Sequence, residues 1–178
     1  MALAAGCSRP TPDPVAEEIG RVVRQETQYP FHVEKATKVD STTYATELHR
    51  RRGIYELRIR QNTARKAKYL DQKMPTNARR MDGFIAKDHL IIAGLDSIRT
   101  RMGADTARIA YYDYVFEYCN ATPKGKKTEP KKAWATVTPS RKVLTWSANR
   151  RDIHKRTGLV IPGYGKLLDD LRVEEDEQ

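Results

Sequence analysis

The chain has 178 residues, 39% hydrophobic and 31% charged, with 33 Lys and Arg against 23 Asp and Glu for a net charge of +10. That length fits a single domain with extensions, and the hydrophobic share argues against full disorder. The longest apolar run, Leu90 to Leu95, is far short of the roughly 20 residues a spanning helix needs, and two cysteines, Cys7 and Cys119, without a CxxC partner exclude a disulfide scaffold.

Leu3-Ala4-Ala5-Gly6-Cys7 resembles the small-residue run before a lipoprotein cysteine, but no basic residue and no long apolar stretch precede it. A mitochondrial presequence also fits poorly, because Asp13, Glu17 and Glu18 fall between Arg9 and Arg21. Pro10, Pro12 and Pro14 give an extended arm over residues 1–13, and Pro14 suits a helix start. Val15, Ile19, Val22 and Val23 recur at helical spacing, which predicts a short amphipathic helix over 14–27, stopped by Pro30.

No proline falls between Pro30 and Pro75. Phe31/Val33, Tyr44/Thr46/Leu48 and Tyr55/Leu57/Ile59 alternate as a meander would, whereas the Ala, Lys, Arg, Gln and Leu of residues 60–73 favour a helix. The reading adopted is a strand near 31–38 and a helix from about 41 to 73, capped by Asp40 or Ser41, with Gly53 as its weak point. Met81, Phe84, Ile91, Leu95, Ile98 and Met102 then form an apolar seam interrupted at Asp88. Gly103 ends that helix, and Asp105 or Thr106 is expected to cap a second one through Cys119, giving a helical hairpin over about 80–119. Against this stands the strand propensity of Tyr111, Tyr112, Tyr114, Phe116 and Tyr118.

Residues 123–132 (PKGKKTEPKK) read as a flexible basic loop. Trp134/Thr136/Thr138 and Val143/Thr145 alternate around Pro139-Ser140-Arg141-Lys142 and predict a β-hairpin. Leu159 to Gly165 reads as an apolar anchoring loop, followed by a short helix over 166–172 and an acidic tail. The expected fold is α+β, predominantly helical, with small antiparallel β elements; the domain plan is an N-terminal arm, one basic domain over 14–156, and a loop and tail over 157–178.

Catalytic signatures are missing. His32, His49, His89 and His154 lie in no metal-ligand spacing, and adjacent Asp88 and His89 point apart on a helix. Gly158 and Gly163 have the gap of a phosphate-binding loop, but Tyr164 stands where Lys is required and Leu167 follows Lys166 where Ser or Thr would hold magnesium. No GxSxG occurs, and the sequon Asn120-Ala121-Thr122 has no secretory context. No enzyme activity, metal or cofactor is expected.

The charge is segregated. Residues 1–50 sum to −1, residues 51–100 to +7, residues 101–156 to +8 and residues 157–178 to −4. One basic zone holds Arg50, Arg51, Arg52, Arg58, Arg60, Arg65, Lys66, Lys68, Lys73, Arg79 and Arg80 against Glu56 and Asp71. On a helix, Arg51, Arg58 and Arg65 fall seven apart on one stripe, able to follow several phosphates of a strand. The second zone holds Lys124, Lys126, Lys127, Lys131, Lys132, Arg141, Lys142, Arg150, Arg151, Lys155 and Arg156. Trp134, Trp146 and the tyrosines could stack on bases, although core packing is their ordinary role. No zinc-finger, RNP1 or GXXG signature specifies a sequence.

The function these features imply is a non-enzymatic structural subunit of a nucleic-acid-containing assembly, such as a ribosomal or organellar ribonucleoprotein, in the cytoplasm or mitochondrial matrix. It would clamp RNA phosphate backbone without base specificity and contact protein subunits of the assembly. Two alternatives share the charge pattern: a viral or phage coat protein, and a peripheral accessory subunit of a respiratory membrane complex that touches the membrane surface.

Overall fold

Pro14 opens the first helix as the sequence predicts, with the Asp13 carboxylate accepting from the Val15 N–H at 2.9 Å. The computed structural model describes residues 13–27, 31–120 and 129–176. In chain order these form α1 (Pro14–Thr27), β1 (Phe31–Thr43), α2 (Tyr44–Asp71), α3 (Pro75–Met102), β2 (Ile109–Asn120), β3 (Lys131–Val137), β4 (Val143–Ser147) and α4 (Tyr164–Asp176). The fold is predominantly helical α+β, and its antiparallel sheet has the strand order β1-β2-β3-β4. The N-terminal arm up to residue 12 and the loop residues 121–128 lie outside the described residues.

The chain divides into two units. The first contains α1, β1 to Val39, β2 from Asp113, and the β3–β4 hairpin through Ile153. Its core joins Ile19 and Val23 of α1 to Phe116 of β2, Ala133, Ala135 and Val137 of β3 and Val143 of β4. The expected β-hairpin is present: Ala135 faces Trp146 and Thr136 faces Thr145, across a turn where Arg141 takes a left-handed φ of 67°. Trp146 packs against this core, and its indole N–H donates to the Glu26 carboxylate at 2.6 Å.

The second unit contains α2, α3 and α4 with Asp40–Tyr112 and the chain from His154. Its core is built from Leu48 and Tyr55 of α2, Ile91, Leu95 and Ile98 of α3, and Ile161, Tyr164 and Leu171. The segment from Leu159 to Gly165 anchors through Ile161 and Tyr164, which are buried, while Leu159 is exposed; the Tyr164 and Tyr55 hydroxyls are 2.6 Å apart. Burial pushes the Tyr164 hydroxyl well above the ordinary tyrosine range, so it stays protonated.

Two expectations need correction. Thr43, not Asp40 or Ser41, caps α2: its Oγ1 accepts from the Thr46 N–H at 3.2 Å, because β1 stays extended through Thr43. The helical hairpin is α2–α3 over residues 44–102, not 80–119. Residues 109–120 form a strand, and the presumed caps Asp105 and Thr106 instead close a short 3-10 turn over Gly103–Ala107. The aromatic alternation of Tyr112, Tyr114, Phe116 and Tyr118 has period two, and it outweighs the capping signal.

Candidate nucleic-acid interface

The α2–α3 hairpin carries the first basic zone. Each helix has 28 residues, about 42 Å at 1.5 Å per residue. The main core cluster takes Leu48 and Tyr55 from α2 and Ile91, Leu95 and Ile98 from α3, and both helices run on past it, with Asn62, Ala78, Met81 and Asp88 buried farther along. Three ion pairs cross between them: Arg52–Asp96 at 2.5 Å, Arg58–Asp88 at 3.1 Å and Lys66–Asp82 at 2.5 Å. Partner numbers fall on α3 as they rise on α2, so the pairs hold the antiparallel register. The two exposed pairs, Arg52–Asp96 and Lys66–Asp82, add at most about 1 kcal/mol each.

Asp88, which breaks the seam in the sequence, faces the other helix. Its side chain is fully buried, and neither carboxylate oxygen has a hydrogen bond of good geometry despite the nearby Arg58 guanidinium. Burial raises its pKa, and Arg58 opposes the shift.

Near the start of α2 a second carboxylate draws arginines inward. Glu47 is fully buried; it accepts from Arg51 Nε at 2.8 Å, Arg50 Nη1 at 3.1 Å, the Tyr111 hydroxyl at 2.9 Å and the Thr157 hydroxyl at 2.9 Å. Arg51 Nη2 also donates to the His154 carbonyl at 2.7 Å and to Thr157 Oγ1 at 2.9 Å. Gly158 permits this approach, since a Cβ there would lie 2.7 Å from Arg51 Nε. Burial, with Glu47 close by, raises the pKa of Tyr111.

The predicted stripe is thus divided. Arg51 belongs to the buried cluster, Arg58 pairs with Asp88, and Arg65 is exposed. Arg50, Arg52 and Lys66 also have carboxylate partners. Beyond Arg58, the side chains of Arg60, Arg65, Lys68, Lys73 and Arg79 are exposed and pair with no described residue, while Arg80 lies over the Phe84 ring at 5.6 Å. On this distal half Asp71 is an exposed acid and Asp82 is engaged by Lys66. The first turn of α3 has no acidic residue and no side-chain cap.

The second basic zone is dispersed. Lys124, Lys126 and Lys127 lie outside the described residues. Lys131, Lys132, Arg141, Lys142, Arg150 and Arg151 are exposed in the first unit, with Lys132 3.8 Å from Glu117. Lys155 and Arg156 are exposed in the second. Among the suggested stacking residues, Tyr111 is fully buried and unavailable to a base.

Two groups of residues escaped the sequence reading. Arg101 and Arg108, the latter 3.7 Å from the Asp105 carboxylate, join Tyr44, Ile98, Met102 and Pro162 around an open groove of about 470 Å³, a juxtaposition no sequence spacing announces. Leu70 and Met74 stand exposed at the hairpin turn, where the only signal was two apolar residues flanking Lys73 just before the helix-stopping Pro75. Among the described residues no helix is long and apolar enough to cross a membrane, and no group of His, Cys, Asp and Glu could hold a metal ion. No family model matches this chain, and no curated protein or solved structure matches it either.

Proposed function

We propose that this protein is a non-enzymatic structural subunit of a ribonucleoprotein assembly that holds RNA by its phosphate backbone along the distal half of the α2–α3 hairpin. One observation carries the reading: Arg60, Arg65, Lys68, Lys73 and Arg79 remain exposed there and pair with no described residue, while the cations nearer the core are held by Glu47, Asp88 and Asp96. Internal ion pairs set the register of a stiff two-helix support, and the surplus charge is left for a polyanion. Arginine forks match phosphate oxygens in pairs, and lysines add point charge. The exposed cations of the β3–β4 region would make further backbone contacts, with other subunits of the assembly covering the remaining surface.

The test is native purification of the tagged full chain, with the variant Arg60→Ala/Arg65→Ala/Lys68→Ala beside it. The reading predicts nuclease-sensitive sedimentation with RNA, and loss of that RNA from the variant. Sedimentation that depends on detergent and ignores nuclease would overturn it in favour of a membrane-associated subunit. Assembly of the pure protein into shells would overturn it in favour of a coat protein.

A further inference from the structure

We propose that the turn of the α2–α3 hairpin covers an unstacked, unpaired base, with Leu70 and Met74 as the apolar contact and Lys68, Lys73 and Arg79 on the phosphates around it. This deepens the RNA reading above and rests on it. Leu70 is 53% exposed and Met74 43% exposed; Ile54, Leu57, Phe84 and Leu90 of the same two helices are exposed too, but only Leu70 and Met74 lie at the turn between them. Scattered surface leucines are ordinary, but these two residues bracket a rigid turn. The Gln72 N–H donates to the Lys68 carbonyl at 3.1 Å, the Lys73 N–H to the Leu70 carbonyl at 3.0 Å and the Met74 N–H to the Tyr69 carbonyl at 2.8 Å. Lys73 sits at a left-handed φ of 55°, and Pro75 fixes the first residue of α3. Side chains displayed on a fixed turn lose little conformational freedom when a ligand covers them.

Charge and apolar area together define the occupant. Lys68, Lys73 and Arg79 are exposed without described partners, so three cations flank the apolar contact against one exposed acid, Asp71. Two side chains are too small an apolar face for stable insertion into a lipid surface, which takes a continuous amphipathic stripe. A nucleotide offers the complementary combination of an apolar base face beside an anionic phosphate. In an uninterrupted A-form duplex the base faces are stacked away and the major groove is too narrow to enter. Only a bulge, loop or strand end presents a base face to such a turn. Neither Leu70 nor Met74 can hydrogen-bond a base edge, so the site selects RNA shape and not base identity.

The experiment measures binding of the full chain to a blunt RNA duplex and to the same duplex with an internal bulge, labelled at the bulge with 2-aminopurine. The wild type should bind the bulged RNA about tenfold more tightly and change the 2-aminopurine emission. Leu70→Ser/Met74→Ser should lose that preference and the emission change while keeping its affinity for the blunt duplex, which also shows that it folds. The single change Leu70→Gln, at a half-exposed position, should lose part of the preference. Equal wild-type affinity for the two RNAs, or an undiminished preference in the double variant, would overturn the proposal. So would Leu70-dependent binding to anionic vesicles without bulge preference. Failure of the wild type to bind either RNA would overturn the underlying RNA reading itself, a distinct result.

Discussion

Two carboxylates illustrate what burial does at the scale of single residues. Glu47 is fully buried but receives four donors, so its charge is compensated by Arg50, Arg51, Tyr111 and Thr157. Removing the carboxylate strands the Arg51 guanidinium in the interior, and breaking a buried pair in this way costs about 3–5 kcal/mol. Glu47→Ala should accordingly shift the urea unfolding midpoint far down. Arg52→Ala, which breaks half-exposed pairs with Glu56 and Asp96, should cost under about 1 kcal/mol in the same titration. Asp88 is the opposite case, buried without a well-formed hydrogen bond, and its pKa is raised chiefly by burial. Between the ordinary carboxylate pKa and that raised value the folded state binds more protons than the unfolded one. Its contribution therefore falls as pH rises through this window. Asp88→Asn should melt higher than wild type at neutral pH, with the gap closing as pH falls below the window. A wild type that melts higher at neutral pH would refute this account of Asp88.

At the scale of elements, two glycines separate backbone freedom from close packing. Gly53 lies inside α2, and a Cβ there would meet nothing within 4 Å. Gly53→Ala should stabilise by about 0.5–1 kcal/mol through helix propensity. Gly158→Ala should instead destabilise by about 1–3 kcal/mol, because the new methyl would displace Arg51 from Glu47 or push Tyr164 aside. Chemical denaturation of both variants should give opposite signs.

The long helix through Gly53 was legible because residues 60–73 are strong helix formers and Pro75 marks a stop. The apolar seam of α3 was legible in part: Met81, Ile91, Leu95 and Ile98 are buried as its spacing requires, while Met102 is half-buried and Phe84 is exposed. Residues 109–120 were misread because Gly103 and Asp105 imitate a helix boundary, while the period-two aromatic run carries the stronger preference. The inward turn of Arg51 could not be read, since it depends on Thr157 and the His154 carbonyl, more than 100 residues away in sequence.

For the whole molecule, the basic middle of the sequence resolves into cations with internal carboxylate partners and cations left over. Sequence charge fixed where the surplus lies along the chain, but only the fold assigns individual residues to each group. Arg50, Arg51, Arg52, Arg58 and Lys66 have carboxylate partners within the second unit; Arg60, Arg65, Lys68, Lys73 and Arg79 are exposed and pair with no described residue. The salt dependence of RNA affinity measures this division directly, because each neutralised phosphate contributes about −0.7 to −0.9 to the slope of log K against log salt. The wild type should show a steep negative slope, and Arg60→Ala/Arg65→Ala/Lys68→Ala should flatten it by about 2–3, one contact for each residue removed. A wild-type affinity unchanged by salt, or a triple variant with the wild-type slope, would contradict the assignment of the hairpin as the phosphate-binding element.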